Sequence, residues 1–331
     1  MFKIIMNYPF YTAKPIKRPV QPIELPPSRQ QEQTSPEKYL PDDGLVDAVN
    51  VALLLGQPLL LTGEPGTGKT QLAYHLAYQL GLEPPLKFET KSTSTARDLF
   101  YLYDTIGRFH AAQAAKLGET VSEKSVEYIT YNALGEAIIL TNPPAIIKDY
   151  LPITFAKYTK PRRSVVLVDE IDKAPHDFPN DILNEIENLY FRIPELANAK
   201  ITAAENMQPI LVLTSNSEKP LPEAFLRRCI YYDISFPEAE DLVKIIEARL
   251  GTYAKQEFLT DALAIFFQLR DNLKKKPSTA ELLNWLIVLR EKYKDVANPL
   301  AEFPESKLTT LSALAKKPED LAVARDILST T

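Results

Sequence analysis

Residues 63–70 read Gly-Glu-Pro-Gly-Thr-Gly-Lys-Thr, and this stretch decides the fold of the chain. An apolar run precedes it at 58–62, and a helical pattern follows it at 71–77. A strand, a glycine-rich turn and a helix in this order are the setting in which the pattern G-x-x-x-x-G-K-[ST] predicts a phosphate-binding loop. The alternative is a glycine-containing turn that binds nothing, and the complete pattern in this setting favours the loop.

The residue types of this loop suit the binding of a triphosphate. Its glycines permit positive φ angles and a close approach of the ligand, its backbone N–H groups supply donors, and the following helix N-terminus adds a partial positive charge. We expect Lys69 to reach the β- and γ-phosphates and the hydroxyl of Thr70 to ligate Mg²⁺. The predicted phosphate-binding residues are Gly63, Glu64, Pro65, Gly66, Thr67, Gly68, Lys69 and Thr70.

Composition limits the class of protein. A chain of 331 residues that is 45% hydrophobic can bury a sizeable core, and its length predicts two domains. The net charge of −5 disfavours nucleic acid as a partner, although a local basic groove would not be apparent from the net charge of the whole chain. The single cysteine, Cys229, excludes an intrachain disulfide and fits a reducing compartment. No stretch approaches the roughly 18 apolar residues of a membrane span, so we expect a cytoplasmic protein.

The distribution of apolar runs predicts the architecture. Buried strands of a mostly parallel, five-stranded sheet are predicted at 58–62, 86–89, 165–168, 210–214 and 230–234. With the helical patterns between them, these strands predict an α/β fold, an αβα sandwich over residues 39–236. Helical patterns continue after Pro237 and predict an all-α lid domain at 237–331. Repeated prolines predict an extended arm at 1–38, which could be a flexible tail or a strap across a neighbouring subunit.

Two segments within the sandwich require their own interpretation. The stretch 90–164 is too long for a simple connection between strands, so we expect an insert with its own substructure. Helical patterns occur in it near 94–101 and over 123–140. The aromatic residues near 97–101 could line a pore or could belong to an ordinary core, and the pattern does not decide between these alternatives. A small hairpin is predicted at about 190–203.

Polar residues follow two of the predicted strands. In open α/β sheets, ligands bind at the carboxyl ends of the strands. Asp169 could hold Mg²⁺ there, usually through water, and Glu170 could orient the attacking water, although the two acids could also simply cap the next helix. Asn216 could bind the γ-phosphate or the same water, and its alternative is a turn residue before Pro220.

Four segments of the chain occur in a specific order, namely GEPGTGKT at 63–70, VVLVDEIDKAP at 165–175, LVLTSN at 211–216 and LPEAFLRRC at 221–229. This set, followed by a helical region, resembles the MoxR branch of the AAA+ ATPases over roughly residues 40–295. The first segment alone occurs in many unrelated families, whereas the set of four is much more specific. The hairpin is similar to the insertion that this family carries before sensor 1, and the stretch 90–164 is similar to its helix-2 insert.

The resemblance implies a role for individual residues. The nucleotide and Mg²⁺ ligands of the family match Lys69, Thr70 and Asp169. Its catalytic acid matches Glu170, and its sensor-1 residue matches Asn216. Arg228 best matches the arginine that reaches the ATP of the neighbouring subunit, and Arg227 is a second candidate. One departure is Ala280, which stands where family members commonly have the sensor-2 arginine.

The resemblance also implies an activity. It implies a Mg²⁺-dependent ATPase that assembles into a homo-oligomeric ring, expected to be a hexamer, with ATP bound between subunits. Such rings remodel or activate partner proteins, often proteins with von Willebrand factor A domains. Two alternatives remain. One is an AAA+ ATPase that acts on nucleic acid, which the acidic balance disfavours. The other is a nucleotide-gated scaffold with little turnover, which the missing sensor-2 arginine suggests.

Overall fold

The computed structural model describes residues 21–22, 25, 35–117, 124–251, 256–294 and 296–330. One compact unit spans residues 39–236, and a second unit joins the described residues up to Lys38 to those from Pro237 onward. Most of the predicted arm at 1–38 lies outside the described residues. Among the described helices, none is both long enough and apolar enough to cross a membrane.

The first unit contains both strands and helices. Its strands are β1 (Leu59–Thr62), β2 (Leu86–Glu89), β3 (Tyr101–Tyr103), β4 (Ile129–Tyr131), β5 (Val165–Asp169), β6 (Tyr190–Ile193), β7 (Ala199–Thr202), β8 (Ile210–Thr214) and β9 (Ile230–Asp233). Its helices are α1 (Asp43–Leu55), α2 (Lys69–Gln79), α3 (Thr105–Lys116), α4 (Ala133–Leu140), α5 (Pro144–Ile147), α6 (Phe178–Asp181), α7 (Leu183–Asn188) and α8 (Glu223–Leu226).

The second unit is helical in its described part. Its helices are α9 (Ala239–Leu250), α10 (Gln256–Asn272), α11 (Thr279–Lys292), α12 (Pro299–Glu302), α13 (Glu305–Thr309) and α14 (Pro318–Thr330). Trp285 is fully buried in this unit, as are Leu242 and Phe266. The predicted fold class, a five-stranded α/β sandwich followed by an all-α region, is therefore confirmed.

The central sheet consists of five parallel strands in the order β2-β5-β8-β1-β9. Alternate residues of a strand face opposite sides of a sheet. Leu60 belongs to the core on one side, and its neighbours Leu59 and Leu61 belong to the core on the other. Because both of their faces are covered, the central strands β1, β5 and β8 are almost continuously apolar, whereas the edge strands β2 and β9 alternate between half-buried and exposed residues.

Strand order brings the carboxyl ends of three strands together. β8 lies between β1 and β5, and Leu213 is in register with Leu60 on one side and with Val168 on the other. The loop after β1, the acids that end β5 and the residues after β8 therefore lie at the same edge of the sheet.

The insert differs from its predicted helices. In the described part of 123–140, a 3₁₀ helix spans Ser125–Tyr128 and the α-helix begins only at Ala133. Between them, Ile129–Tyr131 forms β4, which pairs antiparallel with β3. In β4 the side chains alternate between buried and exposed, because Ile129 and Tyr131 face the core and Thr130 does not. This period of two, with β-branched and aromatic residues, favours a strand over a helix.

The aromatic residues near 97–101 belong to the core. Phe100 and Tyr101 are 4% and 1% exposed, and both rings pack against Phe191 of β6. They therefore do not line a pore. β6 and β7 form a two-stranded antiparallel sheet at the position of the predicted hairpin.

Candidate functional site

The loop between β1 and α2 has the backbone that its glycines predict. Gly63, Gly66 and Gly68 have φ angles of 131°, 82° and 96°. A Cβ atom at Gly63 would lie 2.3 Å from the carbonyl oxygen of Ile234, so a side chain is excluded there by contact as well as by conformation. The hydroxyl of Thr67 donates to the carbonyl oxygen of Glu64 at 3.0 Å and closes the turn around Pro65.

Lys69 lies across this loop. Its Nζ donates to the carbonyl oxygens of Gly63 and Glu64 at 2.8 and 2.9 Å, and the residue is 6% exposed. Burial lowers the pKa of Lys69, although the carboxylates of Asp172 and Asp169 oppose this shift. The ammonium group is thus held at the mouth of the loop, where a phosphate would exchange for the two carbonyl oxygens.

Asp169 ends β5 beside the start of α2. Its Oδ1 accepts hydrogen bonds from the hydroxyls of Thr70 at 2.8 Å and Thr214 at 2.7 Å. Its Oδ2 forms an ion pair with Lys87 at 3.0 Å. Burial of Asp169 alone would raise its pKa, but the hydrogen bonds from Thr214, Lys87 and Thr70 outweigh burial and hold the pKa below its usual value. The carboxylate is therefore ionised at neutral pH.

Thr70 and Asp169 fit a magnesium ion. Mg²⁺ prefers hard oxygen ligands and retains several waters, so that one hydroxyl, one carboxylate and phosphate oxygens suffice. The hydroxyl oxygen of Thr70 and the carboxylate of Asp169 already lie within hydrogen-bond distance of each other. Among the described residues, no group of three or more His, Cys, Asp or Glu side chains is placed to hold a metal ion.

The side chains of Glu170 and Asn216, two of the candidate site residues, contact each other. The Nδ2 of Asn216 donates to Oε1 of Glu170 at 3.0 Å, and Nζ of Lys173 lies 2.5 Å from Oε2. The backbone N–H of Glu170 donates to the hydroxyl of Thr214 at 2.9 Å. Because Thr214 also donates to Asp169, one hydroxyl connects the two acids.

Asp172 is a site residue that was not predicted from the sequence. This carboxylate is 3% exposed, and its Oδ2 accepts the backbone N–H groups of Asn216 at 3.2 Å and Glu218 at 2.9 Å. Asp172 thus holds the turn that positions Asn216. Its Oδ1 is buried and has no hydrogen-bond partner among the described residues. The available signal was a third acid, two residues after Glu170.

Thr214 and Lys87 are two further residues of the site that were not predicted from the sequence. Thr214 is the last residue of β8 and lies two residues before Asn216. The sequence therefore already indicated that Thr214 lies at the carboxyl end of a strand, beside the other candidate residues. Lys87 gave a weaker signal, a lone lysine within the short run 86–89. Its importance depends on β2 lying beside β5, which is a property of strand order.

The two arginines form ion pairs outside this cluster. The Nε of Arg228 donates to Glu187 at 3.0 Å, and one of its terminal nitrogens donates to the carbonyl oxygen of Ala224. Arg227 pairs with Glu223 at 3.3 Å, and its side chain is 79% exposed. In the second unit, Ala280 lies exposed in the first turn of α11.

A family model described as AAA domain (dynein-related subfamily) matches residues 58–229. The match extends from β1 to the residue after Arg228 and covers more than half of the chain. No curated protein matches the chain.

Proposed function

Because the chain belongs to the dynein-related subfamily of AAA domains, and that family binds and hydrolyses ATP, we propose that it is a Mg²⁺-dependent ATPase of the MoxR type. The observation that supports this proposal most is the convergence of Lys69, Asp169, Glu170 and Asn216 at one edge of the sheet. The four residues come from three separate segments of the sequence, and hydrogen bonds join the acids to their neighbours.

In the proposed reaction, water attacks the γ-phosphorus, the bond to the β-phosphate oxygen breaks, and ADP leaves. Glu170 orients the water and accepts its proton, while Asn216 keeps the carboxylate in place. Lys69 exchanges its two carbonyl partners for phosphate oxygens. Mg²⁺, held by Thr70 and Asp169, supplies charge neutralisation at the phosphates.

The active site would be completed by a second copy of the chain. We propose that Arg228, with Arg227 as the second candidate, leaves its intramolecular partner and stabilises charge on the γ-phosphate of the neighbouring subunit. Hydrolysis would then depend on assembly into a homo-oligomeric ring, for which a hexamer is the expected form. Client proteins, including proteins with von Willebrand factor A domains, are the proposed targets of remodelling.

Two substitutions test this proposal. Lys69→Ala should weaken ATP binding about a hundredfold, because a hydrogen bond to a charged group is worth roughly 1.5–3 kcal/mol. Glu170→Gln should keep ATP affinity within about threefold and lower kcat by at least about a hundredfold, as expected on loss of a general base. Affinity is measured with a fluorescent ATP analogue, and turnover by phosphate release.

Matched controls are available in the same unit. Lys157 and Glu205 are exposed residues of the same charge, and Lys157→Ala and Glu205→Gln should leave binding and turnover unchanged. Normal turnover in Glu170→Gln, or unchanged ATP affinity in Lys69→Ala, would reject the assigned roles.

A further inference from the structure

Lys87 is a charged residue that the proposed reaction does not use. Its Nζ lies 3.0 Å from Oδ2 of Asp169 and 2.8 Å from Oε1 of Glu89. The carboxylate proposed to hold magnesium therefore already has a cation that belongs to the chain.

Strand register explains how this lysine reaches the site. In the pairing of β2 with β5, Glu89 lies opposite Asp169 and Lys87 lies opposite Leu167. Lys87 and Glu89 are two residues apart, so their side chains lie on the same face of the sheet. The long side chain of Lys87 therefore extends towards the carboxyl end of the sheet, where both acids are within reach.

The two oxygens of Asp169 have different partners. Oδ1 accepts the hydroxyls of Thr70 and Thr214, whereas Oδ2 faces Lys87. The side chains of Asp169 and Lys87 are 13% and 29% exposed, so solvent screens this pair less than a typical surface pair. A divalent cation bound near Asp169 would repel the ammonium group.

Glu89 is a second ion-pair partner for Lys87, besides Asp169. Its side chain is 70% exposed and already lies within hydrogen-bond distance of Nζ. Lys87 also lines an open cleft of about 620 Å³, together with Glu89, Lys91 and Ser94. The ammonium group thus has both a second partner and space into which it can move when Asp169 takes up another cation.

We propose that Lys87 is a built-in counter-cation, which occupies Asp169 until Mg²⁺ displaces it towards Glu89. This inference rests on the proposed function, in which Asp169 serves Mg²⁺. Competition with Lys87 raises the Mg²⁺ concentration that nucleotide binding requires, and it keeps the carboxylate paired when no metal is bound. Lys87 is thus a positioning residue and touches neither nucleotide nor metal.

The test titrates MgCl₂ against the full chain in the presence of fluorescent ADP, so that no turnover is involved. In Lys87→Met the half-saturating Mg²⁺ concentration should fall by about tenfold, because the competing charge is lost. Lys87→Arg, which keeps the charge, should stay within about threefold of the wild type. Glu89→Gln should raise the value by about threefold, because Lys87 loses its second partner.

A second measurement separates competition from a purely structural role. Lys87→Met should melt at a lower temperature than the wild type in EDTA, and the deficit should disappear at saturating Mg²⁺ and ADP. An equal deficit in both conditions, or an unchanged Mg²⁺ requirement, would overturn the inference.

A different result would be expected if the proposed function itself were wrong. If the wild type bound ADP with no dependence on Mg²⁺, the role of Asp169 would fail, and this inference with it. If Lys87→Met did not fold, the higher Mg²⁺ requirement expected of Glu89→Gln would still decide the question, with Lys87→Arg as the control that stays close to the wild type.

Discussion

Glu170 has a left-handed backbone conformation, with a φ of 57°. A residue with a side chain adopts this conformation at a cost of roughly 1–3 kcal/mol, and such residues are held in place by their surroundings. Here the N–H of Glu170 donates to Thr214 and its carboxylate is held by Asn216 and Lys173. The turn directs the carboxylate away from the strand and towards the loop that follows β8.

Cys229 illustrates how burial decides the chemistry of a single side chain. Cys229 follows Arg228 directly, and such a position is compatible with a reactive thiol or with a small apolar side chain that fills the core. The thiol is half-buried and packs against the core under the sheet, and burial raises its pKa to about 12. At pH 8 the thiolate, which is the reactive form, is therefore scarce.

We predict that Cys229 reacts with a disulfide reagent such as DTNB at least about a hundredfold more slowly than free cysteine at pH 8, because each unit of pKa removes tenfold of the thiolate. Unfolding in urea should restore the full rate. The chain has a single cysteine, so the absorbance change reports this residue alone. A rate in the folded chain equal to that of free cysteine would contradict the prediction.

The insert shows how a glycine can be required by packing between elements. Gly135 lies buried within α4, and a Cβ atom there would be 1.9 Å from the carbonyl oxygen of Phe100. The helix therefore rests directly on the backbone just before β3. Asn132, which precedes α4, donates its side-chain N–H to the carbonyl oxygen of Asp98 and holds the same two segments together.

In the helical unit, a buried hydrogen bond links α11 to the end of α13. The indole N–H of Trp285 donates to the hydroxyl of Thr310 at 2.8 Å, and this hydroxyl donates to the carbonyl oxygen of Ser306 at 2.7 Å. A buried indole N–H without an acceptor costs free energy of folding.

We predict that Thr310→Val lowers the free energy of unfolding by about 1–3 kcal/mol, because it leaves the indole N–H of Trp285 unsatisfied. Urea unfolding followed by tryptophan fluorescence measures this, since the chain has a single tryptophan and it lies in this unit.

The adjacent Thr309 is a matched control. It is exposed, and Thr309→Val should change stability by less than about 0.5 kcal/mol. Equal effects of the two substitutions would show that the buried hydrogen bond contributes nothing.

For the assembled molecule, the proposal that ATP is bound between subunits has a specific consequence. Arg228→Ala and Glu170→Gln should each be nearly inactive alone, and a mixture of the two should recover activity. At an equal ratio about a quarter of the interfaces would pair an intact Glu170 with an intact Arg228. Phosphate release from mixtures across a range of ratios measures this recovery.

Arg227→Ala provides the control for this experiment. If Arg228 acts between subunits, Arg227→Ala should retain activity by itself. Recovery with Arg227→Ala in place of Arg228→Ala would transfer the role to Arg227, and no recovery at any ratio with either variant would contradict an arginine acting between subunits.

Local patterns in the chain were enough to predict the five strands of the sheet and the loop at 63–70. Each depends on neighbouring residues, because the central strands are almost continuously apolar, the edge strands β2 and β9 alternate between half-buried and exposed residues, and the loop needs glycine at set positions. The insert was harder, since the short alternating run of β4 lies next to a helix and the two periods overlap in one window.

The partners of the acids could not be predicted from local patterns. Lys87 meets Asp169 because β2 lies beside β5, and the turn after β8 meets Asp172 because β8 lies beside β5. Strand order depends on how distant segments pack together, and many orders are compatible with the same apolar runs. The candidate catalytic and ligand-binding residues could therefore be predicted from the sequence. The residues that pair with them, such as Lys87, could be identified only from the strand order of the folded sheet.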